Sequence, residues 1–268
     1  MPPAMHVSEL HIYPLKSARG IALREMVLDD RGPAGDRRWM LVDAAGAMLS
    51  QRDLPRMALI SVTNGSQDLV CTAPGMPPLR LHKPAVLTSP RISAQLWDDQ
   101  VDVQLAGDAA HSWFSQHLGV PCRLVFQPDD SFRQVNRVHA ATGVGVSLAD
   151  GFPLLLIGQA SLDDLNRRID RPVEMRRFRP NMVVAGSEPF AEDSWRRIRA
   201  GDVEFALVKP CARCSIPTVD PETGEFGKEP MRTLATFRRR GSEVFFGWNI
   251  LAATPGTIRV GDSVSVLE

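Results

Sequence analysis

The sequence predicts a β-rich α+β fold, a β-barrel with helical additions. Three observations carry this expectation. Short apolar runs, alternating or continuous, recur from one end of the chain to the other. Turn signals separate them, and only a few segments show a helical apolar spacing. The chain has 268 residues, 44% of them hydrophobic, which suffices to bury a sizeable core.

The elements follow in order. Residues 7–13 are apolar-rich with partial alternation, and residues 38–42 and 58–63 are short β-type runs. Asn64-Gly65 is a hairpin turn signal, with residues 68–72 as the return strand. Residues 73–84 are rich in proline and read as loop. Residues 95–105 alternate around Trp97 and predict a strand pair. Asp108 can cap a helix that places Ala110, Trp113, Phe114, His117 and Leu118 on one face. Gly119-Val120-Pro121 ends it. Residues 127–146 are polar with few aliphatics, as expected of a domain boundary or a long surface loop. FPLLLI at 152–157 reads as a buried strand. Ser161 and Asp164 form a capping-box-like start for a helix with Leu162, Leu165 and Ile169 on one face. Strands are predicted again at 181–185, 203–208 and 244–248, and the closing TIRVGDSVSVLE alternates around a Gly-Asp turn.

Charge excludes some classes. The 31 basic and 31 acidic residues cancel, so bulk electrostatics point neither to nucleic acid nor to a membrane surface. Among the basic residues only Lys16, Lys83, Lys209 and Lys228 are lysines; the rest are arginines, whose guanidinium can grip phosphate bidentately. No secretory signal pattern opens the chain, and no apolar run reaches the ~18 residues of a membrane span. A cytoplasmic, reducing location is therefore expected, with Cys71, Cys122, Cys211 and Cys214 as thiols.

Chemistry concentrates in KPCARCSIPTVDPETG at 209–224, where Cys211 and Cys214 form a C-x-x-C. Half a zinc site is one reading, but it needs two further ligands that the isolated Cys71 and Cys122 and the unpaired histidines do not offer by spacing. A thioredoxin-like redox pair is another, but Pro217 and Pro221 prevent the helix that such a pair precedes. A third is a single reactive or metal-ligating thiolate in a proline-bounded loop, its pKa lowered by Arg213. Two inert, buried cysteines are the fourth. Three other segments can meet an anion: YPLKS with Lys16 and Ser17, GDRRW with Arg37, and RRFRPN with Arg179 and Asn181. Each alone is equally consistent with a solvated lysine, a turn before an edge strand, or a solvated arginine face. Asp220 fits either a turn-stabilising aspartate or a general acid.

Taken together, KPCARCSIPTVDPETG, FRPNMVVAG, AEDSW, YPLKS, GDRRW and PGTIRVGDSVSVL resemble the MOSC family, in the subgroup of the mitochondrial amidoxime-reducing component and its bacterial relatives. The resemblance runs from about Val7 to Leu267. It implies an N-terminal MOSC β-domain over residues 1–122, whose first strands can pack on the barrel, and a MOSC domain over residues 123–268. It also implies a molybdenum cofactor, Mo-molybdopterin, with Cys214 as the thiolate ligand and catalytic residue and Cys211 in support. Lys16, Ser17 and Arg37 match positions near the cofactor phosphate. Arg179, Asn181, Asp150 and Arg213 match further cofactor contacts. Ala212 departs from the small hydroxyl residue common in relatives, which removes a side-chain hydrogen bond.

The activity implied is reduction of N-hydroxylated compounds, N–OH to N–H plus water. The four cysteines do not form the C-x₄-C-x₂-C pattern of a plant-type ferredoxin. Electrons are therefore expected from a separate flavin reductase, iron–sulfur protein or haem protein. The alternative is a molybdenum cofactor or sulfur carrier without turnover of its own.

Overall fold

Burial alternates along Glu25–Asp29 and Arg197–Ala200, and along His6–Ile12 on either side of an irregularity between Val7 and Glu9, so each strand lays one face on a core. A computed structural model describes residues 4–65, 68–83 and 88–268. Its largest sheet runs, neighbour to neighbour, through Val264–Val266, Arg197–Ala200, Val203–Ala212, Glu243–Ala252, Leu154–Gly158, Met182–Ala185, His6–Ile12 and Ile21–Leu23. Backbone bonds join Met5 and Val7 to residues 261–264, so the sheet curls back on itself. A small sheet of Gly256–Arg259, Glu25–Asp29 and Gly32–Pro33 adds Ile258, Met26 and Leu28 to the same core. Leu154–Gly158 is buried throughout and pairs in parallel with Met182–Ala185. That crossover is made by the helix Gln159–Asn166, as parallel neighbours require.

A second sheet, Trp39–Val42, Arg123–Phe126, Asp99–Leu105 and Arg91–Leu96, belongs to the N-terminal part. Residues 123–126 thus pair with strands that precede them. The helix Asp108–Leu118 lays Ala110, Trp113, Phe114 and Leu118 on a core shared with Trp39, Leu41 and Leu124. The three-stranded sheet Ser61–Asn64, Asp68–Thr72 and Leu79–His82 lies beside it.

Several local expectations change. Part of the proline-rich loop is the strand Leu79–His82, because Leu69 and Cys71 need a partner strand, with Leu81 buried beside them. Residue 84 of that loop and turn residues 66–67 lie outside the described residues. Ala58 sits in the 3-10 turn Pro55–Leu59, and the strand starts at Ser61. Asp108 is the first helical residue; Gly107 takes the cap position, with no side-chain cap bond. Ser161 is likewise inside its helix, where its hydroxyl donates to the buried Glu192 at 2.8 Å. Residues 127–146 form no long strand or helix, yet Val135, Val146 and Arg133 are buried.

Candidate functional site

The two N-terminal motifs are zipped together by their backbones. Lys16 N donates to Trp39 O (2.8 Å), Trp39 N to Pro14 O (3.0 Å) and Arg37 N to Tyr13 O (2.8 Å). Arg37 O accepts from Leu148 N at 2.9 Å, which draws in the loop carrying Asp150. On the other side, His11 N donates to Asn181 O and Asn181 N to Leu155 O, seating the RRFRPN segment between two strands.

These links bring all eight sequence-derived residues to one cavity: Lys16, Ser17, Arg37, Asp150, Arg179, Asn181, Arg213 and Cys214. Cys211 and Ala212 line it too, as do Phe152, Phe178 and Ile216. The backbone is strained here. Among the described residues, five non-glycine residues have positive φ, and three of them line this cavity: Ser17 (66°), Arg37 (44°) and Arg179 (58°). Such backbone costs ~1–3 kcal/mol each and persists only where the surroundings enforce it.

Lys16 is buried. Its Nζ donates to Leu148 O (2.9 Å) and to Asp150 Oδ1 (2.5 Å). Burial lowers its pKa to about 8, against the pull of Asp150. The Asp150 side chain is half exposed; the burial it does have would raise its pKa, but Lys16 and Arg52 outweigh that and hold the carboxyl well below the usual range. Arg37 donates to Asp36 and, at 3.0 Å, to Asn181 Oδ1. Asp36 is buried and also accepts from Tyr13 N. Burial raises its pKa, and Arg37 counters that rise. Arg179 Nη1 donates to Ala18 O at 2.6 Å, and burial lowers its pKa to about 10. Arg37 and Arg179 both pack on the ring of Tyr13, at 4.5 and 4.2 Å from its centroid. The Tyr13 hydroxyl donates to Pro180 O, and burial pushes its pKa up to about 12.

The cysteine pair separates. Cys211 lies within the strand Val203–Ala212, while Cys214 follows it and precedes the 3-10 turn Ile216–Thr218. No thioredoxin-type helix follows. Cys71 and Cys122 are buried in the N-terminal core, where burial lifts the Cys71 thiol to about 12, so neither completes a zinc site. Among the described residues no cluster of three His, Cys, Asp or Glu side chains could hold a metal ion. Arg213 places Nη1 on Cys211 Sγ at 3.1 Å and Nη2 on Phe178 O at 2.7 Å. The cation beside Cys214 is instead Arg52. Burial disfavours the Arg52 charge, but Asp150 and Cys214 more than restore it and raise its pKa.

Sequence reasoning missed several contributors. Arg52 donates to Asp150 Oδ2 at 3.0 Å. Asn249, on the strand Glu243–Ala252, lines the cavity. Gln51 donates to Ser17 O at 2.6 Å and fixes that strained turn. Arg133, expected in a surface loop, donates to the carbonyls of Ser147, Ala149 and Asp150 and holds the loop beneath Asp150. Asp220 does not line the cavity; it accepts from Glu222 N (2.8 Å) and Thr223 N (3.2 Å) and pairs with Arg177. That is the turn-stabilising role.

The donor set suits an anionic cofactor with a soft metal. Lys16, Arg37, Arg52, Arg179 and Arg213 face the cavity, and among the described residues Asp150 is its only carboxylate. Arg52 Nη1 and Arg213 Nε are buried nitrogens without a hydrogen-bond partner among the described residues, donors left for a ligand. Cys214 adds one thiol.

A family model described as the MOSC domain matches residues 144–265, and one described as the MOSC N-terminal beta barrel domain matches residues 4–121. The mitochondrial amidoxime-reducing component 1 of Mus musculus is 36% identical, with 97% of this chain and 82% of that protein aligned. The same component of Homo sapiens is 33% identical over the same shares. The molybdenum cofactor sulfurase of Oryza sativa subsp. japonica is 30% identical across 91% of this chain and 32% of its own length.

Proposed function

This chain belongs to the MOSC family, and from that premise we propose that it is a molybdenum-cofactor oxidoreductase that reduces N-hydroxylated compounds to the N–H compound and water. One observation carries the reading. Cys214 and the cationic residues of three sequence-distant motifs line a single cavity. The relatives named for amidoxime reduction align along nearly the whole chain, which supports the substrate class.

When bound, the molybdenum cofactor supplies a two-electron redox centre. Cys214 offers the soft thiolate for its metal. Lys16, Arg37 and Arg179 provide convergent charge for its phosphate. Asn181 keeps Arg37 in place, and Arg213, between the two cysteines, donates to Phe178 O and Cys211 Sγ. Ser17 and Asp150 complete the lining. Electrons come from a separate flavin, iron–sulfur or haem protein, and the four free cysteines support a reducing, cytoplasmic setting.

The test is purified, molybdenum-loaded protein with a chemical reductant and benzamidoxime. Conversion to benzamidine is expected. Full molybdenum loading with no turnover overturns the reductase reading in favour of a cofactor carrier.

A further inference from the structure

The N-terminal sheet sends one side chain against two lining residues of this cavity, Asp150 and Arg52, from just outside the lining itself. Trp97 sits in the turn between Arg91–Leu96 and Asp99–Leu105, with φ at 57°. A bulky residue in the left-handed region is a backbone outlier that the surroundings must enforce. Its indole Nε1 faces Asp150 Oδ1 at 3.4 Å. Its ring carries the guanidinium of Arg52, 4.6 Å from the centroid. Arg52 in turn holds Asp150 Oδ2 and lies beside Cys214. Trp97 nonetheless remains 43% exposed, so part of the indole faces solvent at the rim.

A large aromatic held in a strained turn and left half-exposed is poorly explained by core packing. Arg52 reaches from one face of the indole to the thiol, so a molecule that extends from Cys214 past Arg52 meets a fixed cation and then the exposed remainder of the indole. An amidoxime or an N-hydroxylated base is flat, delocalised and carries its oxygen at one edge. Such a molecule can stack on an aromatic face while its oxygen accepts from a guanidinium. A small aliphatic hydroxylamine offers the oxygen without the flat face.

We propose that Trp97 and Arg52 form the substrate-recognition arm of this site, with Trp97 selecting flat, delocalised N-hydroxylated substrates over small aliphatic hydroxylamines. This rests on the reductase reading above. Trp97 determines specificity by contact with substrate, and Arg52 positions the oxygen-bearing end beside Cys214.

The experiment compares wild type, Trp97→Ala and Trp97→Phe, each loaded with molybdenum, on benzamidoxime and on N-methylhydroxylamine. For Trp97→Ala, KM for benzamidoxime is expected to rise about 3–10-fold, the size of one aromatic contact, with kcat nearly unchanged. KM for N-methylhydroxylamine is expected to stay within about twofold, and Trp97→Phe to restore most of the benzamidoxime KM. Calorimetric binding of benzamidine to the oxidised proteins gives a second readout, with the same weakening in Trp97→Ala and recovery in Trp97→Phe. Equal KM changes for both substrates, or none for benzamidoxime, overturn the arm while wild-type turnover leaves the reductase reading intact. If Trp97→Ala does not fold, Trp97→Leu replaces it, judged by the same criteria. Wild type without turnover on either substrate removes the reductase reading and the arm with it.

Discussion

Lys16 Nζ lies 2.5 Å from Asp150 Oδ1, an ion pair that spans the N-terminal turn and the loop ahead of Leu154–Gly158. Burial has brought Lys16 to about 8, so this clamp has a pH limit. Below that value the folded and unfolded chains both carry the charge. Between about 8 and the ordinary lysine value of 10.5, the unfolded chain keeps a proton that the folded chain has lost. Folding stability from this group therefore rises with pH in that window, while the cation facing the cofactor disappears. Molybdenum retention during dialysis is expected to fall as pH passes about 8, without a parallel loss of thermal stability from this group. Retention that is flat up to about pH 10 contradicts it.

The two cysteines should behave differently. Cys214→Ser removes the soft donor, and molybdenum content is expected to fall at least about fivefold. Cys211→Ser leaves that donor in place and alters only a sulfur that accepts from Arg213 Nη1 and packs on the neighbouring core, so most of the metal should remain. Metal analysis of the two variants decides the matter, and equal losses would place the metal between both sulfurs.

Asn181 is a buried hub. Its Oδ1 accepts from Arg37 and from Leu155 N, and its Nδ2 donates to His11 O. Asn181→Ala strands these partners, which should cost about 2–4 kcal/mol of unfolding free energy. Denaturant melts check this, and a change below about 0.5 kcal/mol would show that the partners re-pair.

Ser17 sits at φ 66° with its carbonyl held by Gln51. Ser17→Gly relieves the left-handed conformation, worth about 1 kcal/mol, while removing a hydroxyl from the cavity wall. Thermal stability is expected to hold or rise slightly while cofactor retention falls. Retention equal to wild type would reduce Ser17 to a turn residue.

The strands and the site motifs were legible for different reasons. Leu154–Gly158 and Val203–Ala212 announce themselves by apolar continuity or alternation, which depends only on local period. The eight residues that meet at the cavity are legible only through the resemblance: seven sit in motifs that occur together and in order, Asp150 is singled out by no motif, and none stands out alone. Arg52, Arg133 and Trp97 were not legible. Arg52 and Arg133 are two arginines in a chain whose basic residues are nearly all arginine, and nothing in their neighbours distinguishes a buried clamp from a solvated side chain. Alternation over residues 95–105 predicts a strand pair without placing its turn, because alternation does not register the left-handed backbone of Trp97. The caps failed at Asp108 and Ser161 because a glycine preceded the one, and a buried glutamate far along the chain claimed the other.

Tyr13, whose ring lies against Arg37 and Arg179, is the only tyrosine in the chain. A single phenol, distinguishable from the five tryptophans because it alone ionises, therefore reports on the meeting point of the two halves. In ultraviolet difference spectra, phenolate absorbance should emerge near pH 10 wherever that packing has come apart and only near pH 12 where it is intact. The molecule thus carries its own optical gauge of assembly, readable without label, substrate or metal.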